Sequence, residues 1–203
     1  MTKEALLVID VQNDFFSGAM TITYPSGSFV NILQAMDAAH AAQIPVVVIQ
    51  HSNHALDAKV FKPGSPGWEI HPDVKKRHHD LLIEKTLPGS FTNTILDAWL
   101  RDHAITSLTI SGYVTPMCCD TTSRQAFHKG YSVKFLSDAT GTFTITNRAG
   151  SIRDANLHRD VLRMQRAKFS QVLTTAEWIR SLPSHEAAGS DRLAGLVQIF
   201  CLI

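Results

Sequence analysis

Strand patterns and stretches with helical spacing alternate along most of the chain. Ala5 to Ile9 is apolar at every position, as a strand buried on both faces of a parallel sheet requires. Strand patterns, some apolar throughout and some mixed, are read over 5–10, 45–50, 81–84, 107–111, 132–136 and 169–173. Helices are expected near 28–42, 92–103, 117–129, 149–165 and 174–181. Pro45 marks entry to the second strand, because proline disfavours helix in the residue before it. Strand and helix patterns alternate, which predicts an α/β fold. We expect a three-layer α/β/α sandwich with a mainly parallel sheet of about six strands, Rossmann-like in its layering. The connection 51–80 carries Pro63, Gly64, Pro66, Gly67 and Pro72. So long a loop in a compact domain usually forms a lid or a pocket wall. No G-x-G-x-x-G follows the first strand, so a dinucleotide site has no support.

The length of 203 residues suits one domain with a sizeable core. The net charge of +1 gives no electrostatic reason to expect nucleic acid or an acidic membrane surface as partner. Three cysteines, two of them adjacent, do not make a disulfide framework and fit a reducing, cytoplasmic setting. No signal-peptide pattern opens the chain, and no apolar run is long enough to span a bilayer. A polar stretch, SHEAAGSDR, precedes the apolar Leu193–Ile203. The expected organisation is one domain over 1–182 and a C-terminal extension over 183–203 whose role the sequence does not define.

Candidate chemistry gathers where strands end. Residues 108–124, LTISGYVTPMCCDTTSR, read as a strand, a turn at Gly112, and a helix opened by Cys118 and Cys119. Free N–H groups at a helix start favour thiolate over thiol and can hold an oxyanion beside the attacked carbon. The competing reading is that of buried cysteines used for packing. Asp10 stands at the end of the first strand, and Lys85 follows the strand at Leu81–Ile83. Ligands bind beyond the carboxyl ends of such strands. Alone, Asp10 reads as a turn former and Lys85 as a solvated surface residue. Together with Cys118 they make a plausible base, charge stabiliser and nucleophile.

In LLVIDVQNDF, PGWEIHP, EKTLPGSF, GYVTPMCCDTTSRQAFHKGY and VKFLSDAT, the chain resembles the isochorismatase-like cysteine hydrolases, over about residues 4–180. The resemblance implies that family's fold and a triad of Asp10, Lys85 and Cys118. Its G-x-x-T-x-x-C pattern matches Gly112, Thr115 and Cys118, which selects Cys118 over Cys119. It also implies an oxyanion hole from the backbone N–H groups of Val114 and Cys118. A non-proline cis peptide, which family members often carry, maps to Tyr113–Val114. The implied reaction is hydrolysis of a small amide-like C–N bond through a thioester. The implied assembly is a homo-oligomer, a dimer or tetramer. Two other readings stay open: vinyl-ether hydrolysis driven by the aspartate, and a non-catalytic α/β binding module. Redox sensing by Cys118 and Cys119 is disfavoured, because a disulfide between sequence neighbours is strained.

His51 ends the second strand and is expected as a polar contact in the pocket. Phe15, Trp68, Phe91 and Tyr113 flank the triad segments and are candidate walls around a small substrate, with core packing as the competing use. Gln12 and Asn13 either orient Asp10 or cap the next turn. Related nicotinamidases hold a metal near this point with an aspartate and histidines. This chain has Gln50-His51 where the aspartate would stand, with His54 and His71 as further candidate ligands. No metal and no cofactor are expected.

Overall fold

The computed structural model describes residues 3–17 and 20–183 of the chain. The fully apolar run forms β1 (Glu4–Ile9), which pairs in parallel with β2 (Val46–His51) on one side and β4 (Ser107–Tyr113) on the other. With β3 (Leu81–Lys85), β5 (Ser132–Gly141) and β8 (Gln171–Leu173), the sheet runs β3-β2-β1-β4-β5-β8, and every pairing in it is parallel. The chain steps outward from β1 through β2 to β3, then returns to β4 on the other side of β1. That reversal opens a crevice at the carboxyl ends of β1 and β4.

Helices cover both faces. On α1 (Ser28–Ala41), Ile32, Ala35, Met36 and Ala39 recur at helical spacing and pack on Leu6, Val8, Val46 and Val48. Trp178 of α6 (Thr175–Arg180) joins them. On the other face, Leu96 and Leu100 of α3 (Leu96–Asp102) and Ala126 of α4 (Asp120–His128) pack on Ala5, Leu7 and Ile9. The long connection holds one short helix, α2 (Pro72–Lys75), capped by the His71 side chain accepting from the Asp73 N–H. An antiparallel hairpin of β6 (Ile145–Asn147) and β7 (Gly150–Ile152) leads into α5 (Asp154–Met164).

The three-layer architecture with six parallel strands is the one the apolar runs predict. Several element boundaries differ, among them β5, expected to end at 136 and continuing to Gly141, and β4, expected to end at 111 and continuing to Tyr113. The expected helix 149–165 starts only at Asp154, because residues 150–152 are taken by the hairpin. The expected helix 92–103 begins at Leu96, after a turn in which Thr94 Oγ1 donates to the Ser90 carbonyl. The expected helix 117–129 is preceded by a widened π-helical turn over Thr115–Cys119, so both cysteines lie before α4 rather than in its first turn. Among the described residues, no helix is long and apolar enough to cross a membrane. Apart from Pro183, the predicted extension 183–203 lies outside the described residues.

Gly112 shows how closely β1 and β4 approach at the crevice. Its φ is +111°, and a Cβ there would sit 2.1 Å from the Ile9 carbonyl oxygen. Neither the dihedral nor the contact tolerates a side chain. We predict that Gly112→Ala lowers unfolding stability by at least ~2 kcal/mol in urea denaturation. An unchanged midpoint would contradict this account of the strand junction.

Candidate active site

Four adjacent strands, β3, β2, β1 and β4, deliver Lys85, His51, Asp10 and Cys118 in that spatial order at their carboxyl ends. Along β3, Ile83 and Lys85 point inward while Leu82 and Glu84 face solvent, so strand alternation buries the ammonium. His51 lies level with Lys85 in the β2–β3 register. Asp10 leaves β1 in the left-handed region, with φ 53°, a conformation aspartate adopts more readily than most residues. Its N–H donates to the Ile49 carbonyl at 2.8 Å, which ties this turn to β2. Gln12 adds a second tie. Its side-chain oxygen accepts from the His51 N–H, and its amide donates to the carbonyls of His51 and Trp68. Beyond β4 the Tyr113–Val114 peptide is cis, and the π-helical turn follows.

Lys85 Nζ is the hub. It donates to Asp10 Oδ2 at 2.7 Å, His51 Nδ1 at 3.1 Å and Cys118 Sγ at 3.3 Å. An ammonium has three protons, and here each has an acceptor. Because His51 accepts at Nδ1, its neutral ring carries its proton on Nε2. The side chains of Lys85 and Asp10 are 0% and 1% exposed, whereas Cys118 is half-buried and lies nearest solvent among the three. Asp10 Oδ1 is buried and has no hydrogen-bond partner.

The electrostatics oppose the preference of a helix start for thiolate. Burial, then the Asp10 charge, push the Cys118 thiol well above the ordinary range, and Lys85 opposes this only in part. The helix-start effect is overridden because the site is dry and already holds a carboxylate. Burial also opposes the charge on Lys85, but Asp10 and Cys118 outweigh it and raise its pKa. Burial and Lys85 lower the pKa of His51. The resting site is therefore a buried ion pair beside a neutral thiol and a neutral imidazole.

Asp10, His51 and Cys118 bring an oxygen, a nitrogen and a sulfur within 4.8 Å of one another, the kind of donor set that holds a metal. Lys85 Nζ bonds to all three residues, so an ammonium already occupies the position of central positive charge. This set does not suit a further cation. His54 and His71 are not drawn in: His54 pairs with Glu84 on the surface, and His71 packs against Phe16 and Phe29.

Of the five candidate contact residues, His51 alone hydrogen-bonds to one of the three charged or nucleophilic groups, Lys85. Phe15 and Tyr113 are buried in an aromatic cluster on the α1 face. The Tyr113 hydroxyl lies 3.2 Å from Ser28 Oγ. The cluster reaches His51 through Phe61, whose ring lies 5.1 Å from Phe15 and 5.3 Å from His51. Sequence reading passed over Phe61, since no local pattern marks it. Trp68 donates from Nε1 to Ser52 Oγ and lines a groove of about 460 Å³ beside β2 and β3. Phe91 stacks on Tyr131 in the core under α3 and α4.

Comparison with known proteins adds a family. Residues 4–177 match the family model described as the isochorismatase domain. The isochorismatase family protein YddQ of Bacillus subtilis is 30% identical over 177 residues, covering 87% of this chain and 98% of that protein. Nicotinamidase 3 of Arabidopsis thaliana is 32% identical over 151 residues, 68% of this chain and 73% of its own length. An isochorismatase-type crystal structure from Burkholderia xenovorans LB400 superposes with a TM-score of 0.87 at 38% identity, covering 97% of this chain and all of that one.

The raised thiol pKa sets a pH dependence. The Cys118 thiolate forms only above the ordinary thiol range, so the rate of its alkylation by iodoacetamide should still rise about tenfold per pH unit between pH 9 and pH 10. A rate already levelling off across that interval, as for an unstructured thiol of pKa about 8.5, would contradict the described burial of the sulfur.

Proposed function

The chain belongs to the isochorismatase family, and from that premise we propose that it hydrolyses a small amide-like C–N bond through a cysteine thioester. One observation carries the reading. The Lys85 ammonium bridges Asp10 and Cys118 while Asp10 Oδ1 is left without a partner in the same dry site. A buried carboxylate oxygen with a free lone pair is a base awaiting a proton. The thiol beside it holds its proton at neutral pH, so it needs that base.

The steps follow from these groups. Asp10 takes the proton of Cys118 as the sulfur attacks the carbonyl carbon. The carbonyl electron pair moves onto oxygen, where the N–H groups of Val114 and Cys118 stabilise it. Collapse of this intermediate breaks the C–N bond, and the leaving nitrogen takes the proton back from Asp10. A water then attacks the thioester, giving its proton to Asp10, and the carboxylic acid leaves as the thiol re-forms. Lys85 holds Asp10 in a buried ion pair and offsets negative charge as the thiolate develops. The neutral His51 presents its Nε2–H as a polar contact. The name of nicotinamidase 3, one of the relatives, supports amide chemistry. A homo-oligomer is part of the proposal. Leu87 and Met117, exposed in the segments that carry Lys85 and Cys118, are apolar surface for a second copy to cover.

Ammonia release from a panel of small amides, ureides and carbamoyl compounds tests the reaction. On the amide found, Cys118→Ser should lower kcat by at least ~10³-fold with little loss of stability. Cys119→Ser should keep most of the activity but destabilise by ~1–3 kcal/mol, because Cys119 is fully buried in the core under α4. Full activity in Cys118→Ser would contradict the nucleophile.

A further inference from the structure

A buried histidine outside the ion-pair cluster grips the turn that carries the nucleophile. His158, on α5, is 2% exposed. Its Nε2 lies 2.8 Å from the Ser137 carbonyl oxygen and its Nδ1 2.9 Å from Thr115 Oγ1. A carbonyl only accepts, so Nε2 carries the proton and Nδ1 must accept from the Thr115 hydroxyl. Burial lowers the pKa of His158, which keeps the ring in this neutral, one-donor and one-acceptor form.

Both ends of this bridge have structural meaning. Thr115 is fully buried, follows Val114 directly, and opens the turn that ends at Cys119. It thus stands between the two backbone groups assigned to the oxyanion. Ser137 sits where β5 slips against β4: Ile110 pairs with Phe135, but Gly112 pairs with Thr140. Its carbonyl is therefore turned off that ladder and free to accept from the ring. The Tyr24 ring packs against His158 in a T-shaped contact, with ring centroids 5.4 Å apart. No charged side chain forms a hydrogen bond or ion pair with this histidine among the described residues.

We propose that His158 is a positioning residue for the oxyanion hole: through Thr115 it fixes the Val114–Cys118 turn against the slipped segment of β5. This rests on the proposed cysteine chemistry. It does not place His158 in contact with substrate. Its effect should fall on steps that put negative charge on a carbonyl oxygen, and not on displacement at a saturated carbon. A hole displaced by a fraction of an ångström loses much of its stabilisation, whereas simple access to the sulfur is unchanged.

Two reagents separate these effects without a known substrate. Iodoacetamide alkylates Cys118 with loss of iodide and forms no oxyanion. Propionaldehyde adds reversibly: the sulfur bonds to the carbonyl carbon, the thiol proton passes to Asp10, and the carbonyl electron pair moves onto oxygen in the hole. Protection of Cys118 by propionaldehyde against iodoacetamide at pH 9, read by peptide mass spectrometry, reports the hole.

In His158→Ala and Thr115→Val the aldehyde concentration needed for half-protection should rise about tenfold or more, while the unprotected alkylation rate stays within about twofold. Thr115→Ser, which keeps the hydroxyl, should behave as the wild type, and the double variant should be no worse than His158→Ala alone. Thr115→Val is close in shape to the native residue and keeps the test decisive should His158→Ala fold poorly by circular dichroism. Unchanged half-protection in both variants, or an equal fall in protection and alkylation, would overturn the positioning role. Wild-type Cys118 that responds to neither reagent would overturn the cysteine-hydrolase reading, and the positioning role with it.

Discussion

A lysine ammonium held away from water organises this molecule's chemistry. Lys85 gives its three protons to Asp10, His51 and Cys118, residues from three other segments of the chain. Burying a charge is costly unless it is paired and hydrogen-bonded, so the four groups are mutually dependent. Removing one partner of such a buried pair costs about 3–5 kcal/mol, because the other charge is left unsatisfied. The arrangement is thus a constraint on folding as well as a reagent. It holds only if β3, β2, β1 and β4 lie side by side with their carboxyl ends level.

The sheet order meets that constraint. Reversal of chain direction at β1 puts the Asp10 turn and the Cys118 turn on neighbouring strands, with His51 and Lys85 in register on the next two. The same geometry decides the protonation state of the sulfur. A site dry enough to make the ion pair strong also disfavours a thiolate beside a carboxylate. In the proposed reaction Asp10 acts on a thiol, the proton it takes is the one the leaving nitrogen needs, and its buried Oδ1, without a partner, receives it.

Much of this was legible in the sequence, for a physical reason. β1 is apolar from Ala5 to Ile9 and β2 from Val46 to Ile49, so the polar residues that end them stand out. Asp10 was readable because it follows such a run, and Lys85 and Cys118 because they follow the mixed strand patterns of β3 and β4. What depends on how elements pack was not readable. The contact of His51 with Lys85 needs the β2–β3 register. The widened turn at Thr115–Cys119 has no spacing signature, and Pro116 within it still permits an ordinary helix start. Phe91 lies six residues from Lys85, but sequence distance does not say which way a ring points, and it turns into the core. His158 and Ser137 are joined to Thr115 across distant segments, and a lone histidine on a helix gives no hint of such partners.

The central claim is that the sulfur held by Lys85 becomes covalently acylated in the reaction. Acid quench of the enzyme during turnover of an amide, followed by intact-protein and peptide mass spectrometry, tests this most directly. The account predicts an added mass equal to the acyl group, located on Cys118 and released by hydroxylamine. Ammonia production with no acyl adduct on Cys118, under conditions where a quenched thioester survives, would contradict it.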